Sequence, residues 1–227
     1  TTLVEQILSS HSKVFGSDEV QFIPNLIDKY FTTDKINVFL QGVYNFDLSN
    51  FDKMAKEYLK LMSKISNNAE RTTDKLPANF LNIGLIKIIF PKSKIVHCYR
   101  NAKDNIFSIF KNHFPGNNIT FASDINETIE YYNLYYDLMK HWNDQLPNFL
   151  YNIKYETLIN DTENEVKKLI SYCDLEWEEK CLEFYNNQRP VKTASDTQVR
   201  NKIYNSSIDL WKKSEKFSNK YYKKLRV

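Results

Sequence analysis

The sequence predicts an α/β domain built on a central parallel sheet flanked by helices. Two observations carry that prediction. Strand-length apolar segments such as "KIVHCY" and "FLYNIKYE" each run directly into a helical pattern, and strands alternating with helices belong to parallel sheets covered on both faces. The chain also has 227 residues with 42% hydrophobic content, enough for one sizeable core, so a single domain over 1–227 is expected.

The elements follow in order. The opening "TTLVEQILSSHSKVFGSDE" places Leu3, Val4, Ile7 and Leu8 at helical spacing, which predicts a first helix beginning almost at residue 1. No initiator methionine precedes it, and the expectation is that an upstream segment is missing. "SNFDKMAKEYLKLMSKIS" from Ser49 is a polar-starting amphipathic helix, and "NFLNIGLIKIIF" from Asn79 reads as another despite Gly84. "KIVHCY" is a strand and "DNIFSIFKNH" the helix after it, with Asp104 in the first turn, where an acid suits the helix dipole. "DINETIEYYNLYYDLMKHWNDQ" from Asp124 is a long helix, whose tyrosines divide between core and rim. After Pro147 come the strand "FLYNIKYE" and the helix "TENEVKKLISYC". From about Gln188 the tail is polar: "RPVKTASDTQVRNKIYNSS" reads as a loop and "IDLWKKSEKFSNKYYKKL" as one or two basic, largely solvated helices. Only four glycines occur in the chain, which argues against a flexible linker.

Composition excludes several classes. With 31 basic against 28 acidic residues the net charge is +3, too small a field to imply nucleic acid or an anionic membrane as partner. No apolar run approaches the roughly 20 residues that span a bilayer. Cys98, Cys173 and Cys181 are odd in number and lack C-x-x-C spacing, which favours reduced thiols and a cytoplasmic location. His11, His97, His113 and His141 lack metal-ligand spacing, so no metal site is expected.

The chemically informative stretch is "KIVHCYRNAKDNIFSIF", residues 94–110. In open parallel sheets ligands sit outside the carboxyl ends of strands, where helix amino-termini offer N–H groups to anions. An arginine fork there can hold a phosphate through two charge-assisted hydrogen bonds. Arg100, with the Ser108 hydroxyl two helical turns on, is a candidate phosphate clamp. From geometry alone, a surface arginine and a tolerated small residue read equally well.

Several ordered stretches together resemble the sulfotransferases that use 3′-phosphoadenosine 5′-phosphosulfate (PAPS), and more narrowly the bacterial sulfotransferase domains that follow tetratricopeptide repeats and the protein-tyrosine sulfotransferases. "TTLVEQILSSHSKVFGSDE" resembles the end of the family's P-R-S-G-T-T-L phosphosulfate loop with its helix and an acid. "TDKLPANFLNIGLIKIIFP" resembles the second landmark and "IVHCYRNAKDNIFSIF" the 3′-phosphate motif. "YETLINDTENEVKKLISYCDLEW" and "RPVKTASDTQVRNKIYNSSIDLW" resemble the closing segments. The similarity covers nearly the whole chain and implies a P-loop-containing sulfotransferase-like fold, lacking its first strand and starting inside the phosphosulfate loop.

The resemblance also implies roles. Arg100 and Ser108 would hold the 3′-phosphate, Thr1 and Thr2 the 5′-phosphosulfate, and Tyr155 the adenine side. Glu19 would take the acceptor's proton, with Asp18 beside it as the competing acid. Lys75 would neutralise charge on the bridging oxygen and sulfonate, and Ser195 would stand near the same oxygens. Arg200 and Lys202 are further possible phosphate partners. The implied reaction is metal-free sulfuryl transfer to a hydroxyl of protein tyrosine, a carbohydrate or a small phenol. Upstream tetratricopeptide repeats and a homodimer are the further partners to look for. Two alternatives share the fold: a P-loop kinase, which would want G-x-x-x-x-G-K-[ST] and a strand-end Asp for magnesium, and a non-catalytic nucleotide-binding domain.

Overall fold

The computed structural model describes residues 1–31, 48–67, 69–112, 119–193 and 196–226. The chain divides into two compact units, Thr1–Ser93 with Glu176–Lys202, and Lys94–Leu175 with Ile203–Val227.

In the first unit α1 (Thr2–Leu8) is followed by β1 (Val14–Gly16), α2 (Phe22–Phe31), α3 (Ser49–Ser63), β2 (Arg71–Thr73), a 3₁₀ turn over Pro77–Asn82 and α4 (Ile83–Ile89). The hydroxyls of Ser9 and Ser10 both donate to the Gln6 carbonyl at the end of α1, satisfying one of the acceptors that a helix end leaves open. Leu26 and Phe31 of α2 pack with Met54 of α3. The stretch from Asn79 read as one helix is a 3₁₀ turn running into α4, with Pro77 at its start, where a proline's fixed φ suits a first turn.

The second unit holds β3 (Ile95–Tyr99), α5 (Ala102–Lys111), α6 (Ile125–Gln145), β4 (Leu150–Lys154), α7 (Tyr155–Asn160) and α8 (Thr162–Tyr172), and its tail adds a 3₁₀ turn (Leu210–Ser214) and α10 (Glu215–Tyr222); α9 (Asp196–Val199) belongs to the first unit. The side chains of Asn101 and Asp124 cap α5 and α6, each accepting from two backbone N–H groups; such caps contribute about 1 kcal/mol each. Ala102, Ile106, Ile125, Ile129, Tyr132 and Tyr222 form the core between α5, α6 and α10. The basic tail is therefore less solvated than its charge suggests: Tyr222 is buried, and Lys103 Nζ lies 4.1 Å from the Trp211 ring centroid.

Strand pairing is parallel, as the alternation of strands and helices predicts, but the described strands close two separate pairs where one central sheet is expected. β1 pairs with β2, Gly16 opposite Thr73, and β3 with β4, Tyr99 opposite Lys154. Tyr155, expected to end a strand, is the first residue of α7. A parallel pair brings two carboxyl ends to the same edge, and the residues just past those ends are 17–19 with 74–75 in the first unit and 100–101 with 155–156 in the second.

Candidate active site

At the β1–β2 edge the chain turns sharply at Asp18, which has φ 61°. Asp18 is 7% exposed and Lys75 8%. Lys75 Nζ lies 2.9 Å from Asp18 Oδ1 and 2.8 Å from Glu19 Oε1, and the Lys75 N–H donates to the Asp18 carbonyl at 3.2 Å. Asp18 Oδ2 also accepts the Lys192 N–H at 2.6 Å. Burial alone would lift the Asp18 carboxyl, but the Lys192 N–H and the Lys75 and Arg189 cations outweigh it and hold the group below the usual aspartate value. The Glu19 side chain keeps 41% of its surface in solvent. Two adjacent acids thus differ in kind: one is packed as a partner for the lysine, and the other reaches out with an oxygen to spare.

Next to this pair, Asp74 accepts from the Tyr58 hydroxyl at 2.9 Å and from Asn79 Nδ2 at 3.0 Å. Burial pushes its carboxyl up to about 6, the nearby Glu5 carboxylate adds to the rise, and the two donors oppose it. Thr1 stands at the amino-terminal cap of α1 without a side-chain capping bond, and the Thr2 hydroxyl is 3.2 Å from that of Thr193. Ser195 lies outside the described residues. Arg200 is committed within the fold: its guanidinium donates to the carbonyls of Asn187 and Arg189 and to Asp196. Lys202 stands over the Tyr185 ring, 5.6 Å from its centroid.

At the β3–β4 edge Arg100 follows Tyr99 and Tyr155 follows Lys154, so the strand register sets them side by side. The Arg100 guanidinium carbon is 5.7 Å from the Tyr155 ring centroid, and the Asn101 N–H donates to Glu156 Oε1 at 2.8 Å. Arg100 Nη2 makes a long 3.3 Å bond to the Ser207 carbonyl and stands 3.9 Å from Asp104 Oδ1. Its Nε is buried with no hydrogen-bond partner among the described residues. A buried guanidinium N–H left without an acceptor fits an anion. Ser108 is half-buried two turns along α5. Burial raises the Tyr155 hydroxyl, with Ser207 and Arg100 pulling against it.

The β1–β2 edge therefore joins Lys75, Glu19 and Asp18, and the β3–β4 edge joins Arg100 and Tyr155. Two residues have more to do than their sequence signal suggests. Asp104, read as a helix-dipole acid, is 1% exposed and accepts the N–H groups of Asp209 and Trp211, fastening the tail to α5. Glu5, which carries no signal beyond being an acid inside a helix, is 2% exposed and ion-paired to Arg189 at 2.9 Å. A charged residue at a buried helical position is the one hint the sequence offers for it. Among the described residues no group of three or more His, Cys, Asp or Glu could hold a metal ion, and no helix is long and apolar enough to cross a membrane.

Comparisons with known proteins bear on the family and the fold. An uncharacterized protein of Aquifex aeolicus (strain VF5) is 36% identical over 224 residues, covering 96% of this chain. The chain spans only 29% of that relative's length. A Caenorhabditis briggsae protein named "Putative protein-tyrosine sulfotransferase" is 25% identical over 93% of the chain and 76% of its own length. Among solved structures, the sulfotransferase domain of the Synechococcus PCC 7002 olefin synthase aligns with TM-score 0.66 at 14% identity, over 93% of this chain and 82% of that one. The sulfotransferase domain from the curacin biosynthetic pathway aligns with TM-score 0.59 at 18% identity, over 93% and 86%. At these identities the structures establish a shared α/β fold. The profile described as "Sulfotransferase family" matches residues 1–179, and the chain belongs to that family.

Proposed function

We propose that the protein transfers the sulfuryl group of PAPS to an acceptor hydroxyl, of protein tyrosine, a carbohydrate or a small phenol. The observation that carries the reading is the contact of Lys75 Nζ with Glu19 Oε1 at 2.8 Å, beside the carboxyl ends of a parallel pair. Glu19 takes the acceptor's proton through its exposed side, the acceptor oxygen bonds to sulfur, and the bond from sulfur to the phosphate oxygen breaks. The electron pair leaves with adenosine 3′,5′-bisphosphate, and the Lys75 ammonium offsets the charge that collects on the bridging oxygen. Such transfers pass through a loose transition state in which positioning and electrostatics dominate.

Arg100 and Ser108 serve the 3′-phosphate and Tyr155 the adenine side; the buried Arg100 Nε that has no partner among the described residues supports the role of the arginine. Thr1 and Thr2 serve the 5′-phosphosulfate, and Ser195 keeps the place near its oxygens that the family resemblance implies. The natural full-length protein, given radiolabelled PAPS with tyrosine peptides, oligosaccharides and simple phenols in excess EDTA, should label one acceptor class. No transfer to any of the three, or phosphoryl transfer from ATP restored by magnesium, overturns the reading.

A further inference from the structure

We propose that Glu5 is a positioning residue that fixes the geometry of the Lys75–Glu19 pair; this rests on reading that pair as the reacting group. Glu5 lies in α1, where its neighbours Val4, Ile7 and Leu8 are buried. An apolar side chain would suit that place, because burying a carboxylate costs several kcal/mol unless its lone pairs are met. They are met by three separate segments. Glu5 Oε1 accepts the Asp18 N–H at 2.9 Å and the Thr73 hydroxyl at 2.6 Å, and Oε2 accepts Arg189 Nη2 at 2.9 Å.

Two of those donors stand next to the reacting pair: Asp18 precedes Glu19, and Thr73 precedes Asp74 and Lys75. One oxygen therefore ties together the two strand ends that carry the pair. Asp18 continues the chain of contacts through Lys75 Nζ and the Lys192 N–H. Arg189 closes the arrangement from the other side, holding Gln6 Oε1 at 2.9 Å as well as Glu5. Its guanidinium lies over Gly16, where an added Cβ would come within 3.1 Å of Arg189 Nε. Among the described residues Glu5 makes no hydrogen bond or ion pair to Lys75 or Glu19, so its influence passes through the Asp18 N–H and the Thr73 hydroxyl.

Glu5→Gln keeps the volume but replaces one acceptor oxygen with an NH₂ donor. That donor must face either Arg189 or the Asp18 N–H, so one of the two ties is lost. In the full-length protein kcat should fall by about 10²-fold, the cost of a reacting group moved by roughly 1 Å. KM for PAPS should stay within a few-fold, and Glu5→Asp should recover part of kcat. In a Glu19→Gln background the same change should cost little more, because residues acting as one unit are not additive. Unchanged kcat per folded molecule, or full additivity with Glu19→Gln, overturns the proposal.

A second readout needs no turnover. Acetylation of Lys75 by acetic anhydride, followed by mass spectrometry, should run at least about tenfold faster in Glu5→Gln, as local opening exposes a buried ammonium. If the wild type transfers no sulfuryl group, the sulfotransferase reading falls, while this labelling still decides whether Glu5 holds Lys75 in place. An unchanged labelling rate overturns the positioning role. Should Glu5→Gln fail to fold, Thr73→Val removes one tie and leaves Arg189 paired; it should raise Lys75 labelling to a smaller degree, and no rise counts against the proposal.

Discussion

Lys75 Nζ stands 2.8 Å from Glu19 Oε1 and 2.9 Å from Asp18 Oδ1, so one ammonium is shared by two consecutive acids. Their surroundings separate their work. The Asp18 side chain is 9% exposed and receives a backbone N–H besides, whereas that of Glu19 is 41% exposed. The lysine is anchored by the first and shared with the second.

Glu19→Gln should lower kcat by about 10²–10⁴-fold, the usual span for loss of a general base, with little change in thermal stability or donor affinity. Asp18→Asn should do the opposite first: breaking a buried ion pair costs about 3–5 kcal/mol, read as a fall in urea midpoint. Kinetics and unfolding curves on the two variants check the order. Greater loss of turnover per folded molecule in Asp18→Asn would move the base to Asp18.

Arg100→Ala should weaken binding of adenosine 3′,5′-bisphosphate by about 10- to 150-fold, the worth of hydrogen bonds to a charged group, with Ser108→Ala costing less. Calorimetry against adenosine 5′-monophosphate is the measurement. A wild type that fails to prefer the bisphosphate removes the clamp.

Asp104→Ala should loosen the tail. It leaves the part-buried N–H groups of Asp209 and Trp211 without their acceptor, each at no more than the roughly 1–3 kcal/mol of a fully buried donor left unpaired. Hydrogen exchange at residues 209 and 211 should speed up, together with a lower unfolding midpoint. Unaltered protection there would show that the 3₁₀ turn and α10 hold the tail without it.

Acid should act on the two units in opposite senses. Burial keeps the His97 imidazole below its ordinary 6.5, against the bond that its Nδ1–H donates to Asn152 Oδ1. The unfolded chain therefore binds the proton first, and the stability His97 contributes is present above about 6.5 and lost as pH falls further. Asp74, held up at about 6, contributes stability that is present below its ordinary 3.8 and lost as pH rises through 6. Unfolding midpoints between pH 4 and 8 for wild type, His97→Gln and Asp74→Asn should give difference curves of opposite slope. Parallel curves would contradict both assignments.

The β3–α5 region is legible in the sequence because five apolar-patterned residues run into an asparagine cap and an amphipathic helix, and the place of Arg100 follows from that alone. β1 and β2 are not legible: three residues give no alternation to detect. The companions of the Lys75–Glu19 pair were hidden by distance along the chain. Glu5 and Arg189 are 184 positions apart and Asp18 and Lys192 are 174 apart, and nothing local in either segment announces its partner. The turn at Asp18 was equally hidden, because an aspartate before a glutamate does not reveal the sign of its φ.

That turn restricts what position 18 can be. A φ of 61° admits glycine, asparagine and aspartate at little cost and charges most other residues about 1–2 kcal/mol. The lysine beside it asks for an anion, which only aspartate and glutamate supply. The two requirements overlap in a single amino acid, so the neighbour of the proposed base has almost no room to drift. Glutamate one position later carries no such torsional demand, and only its proposed role as the base restricts it.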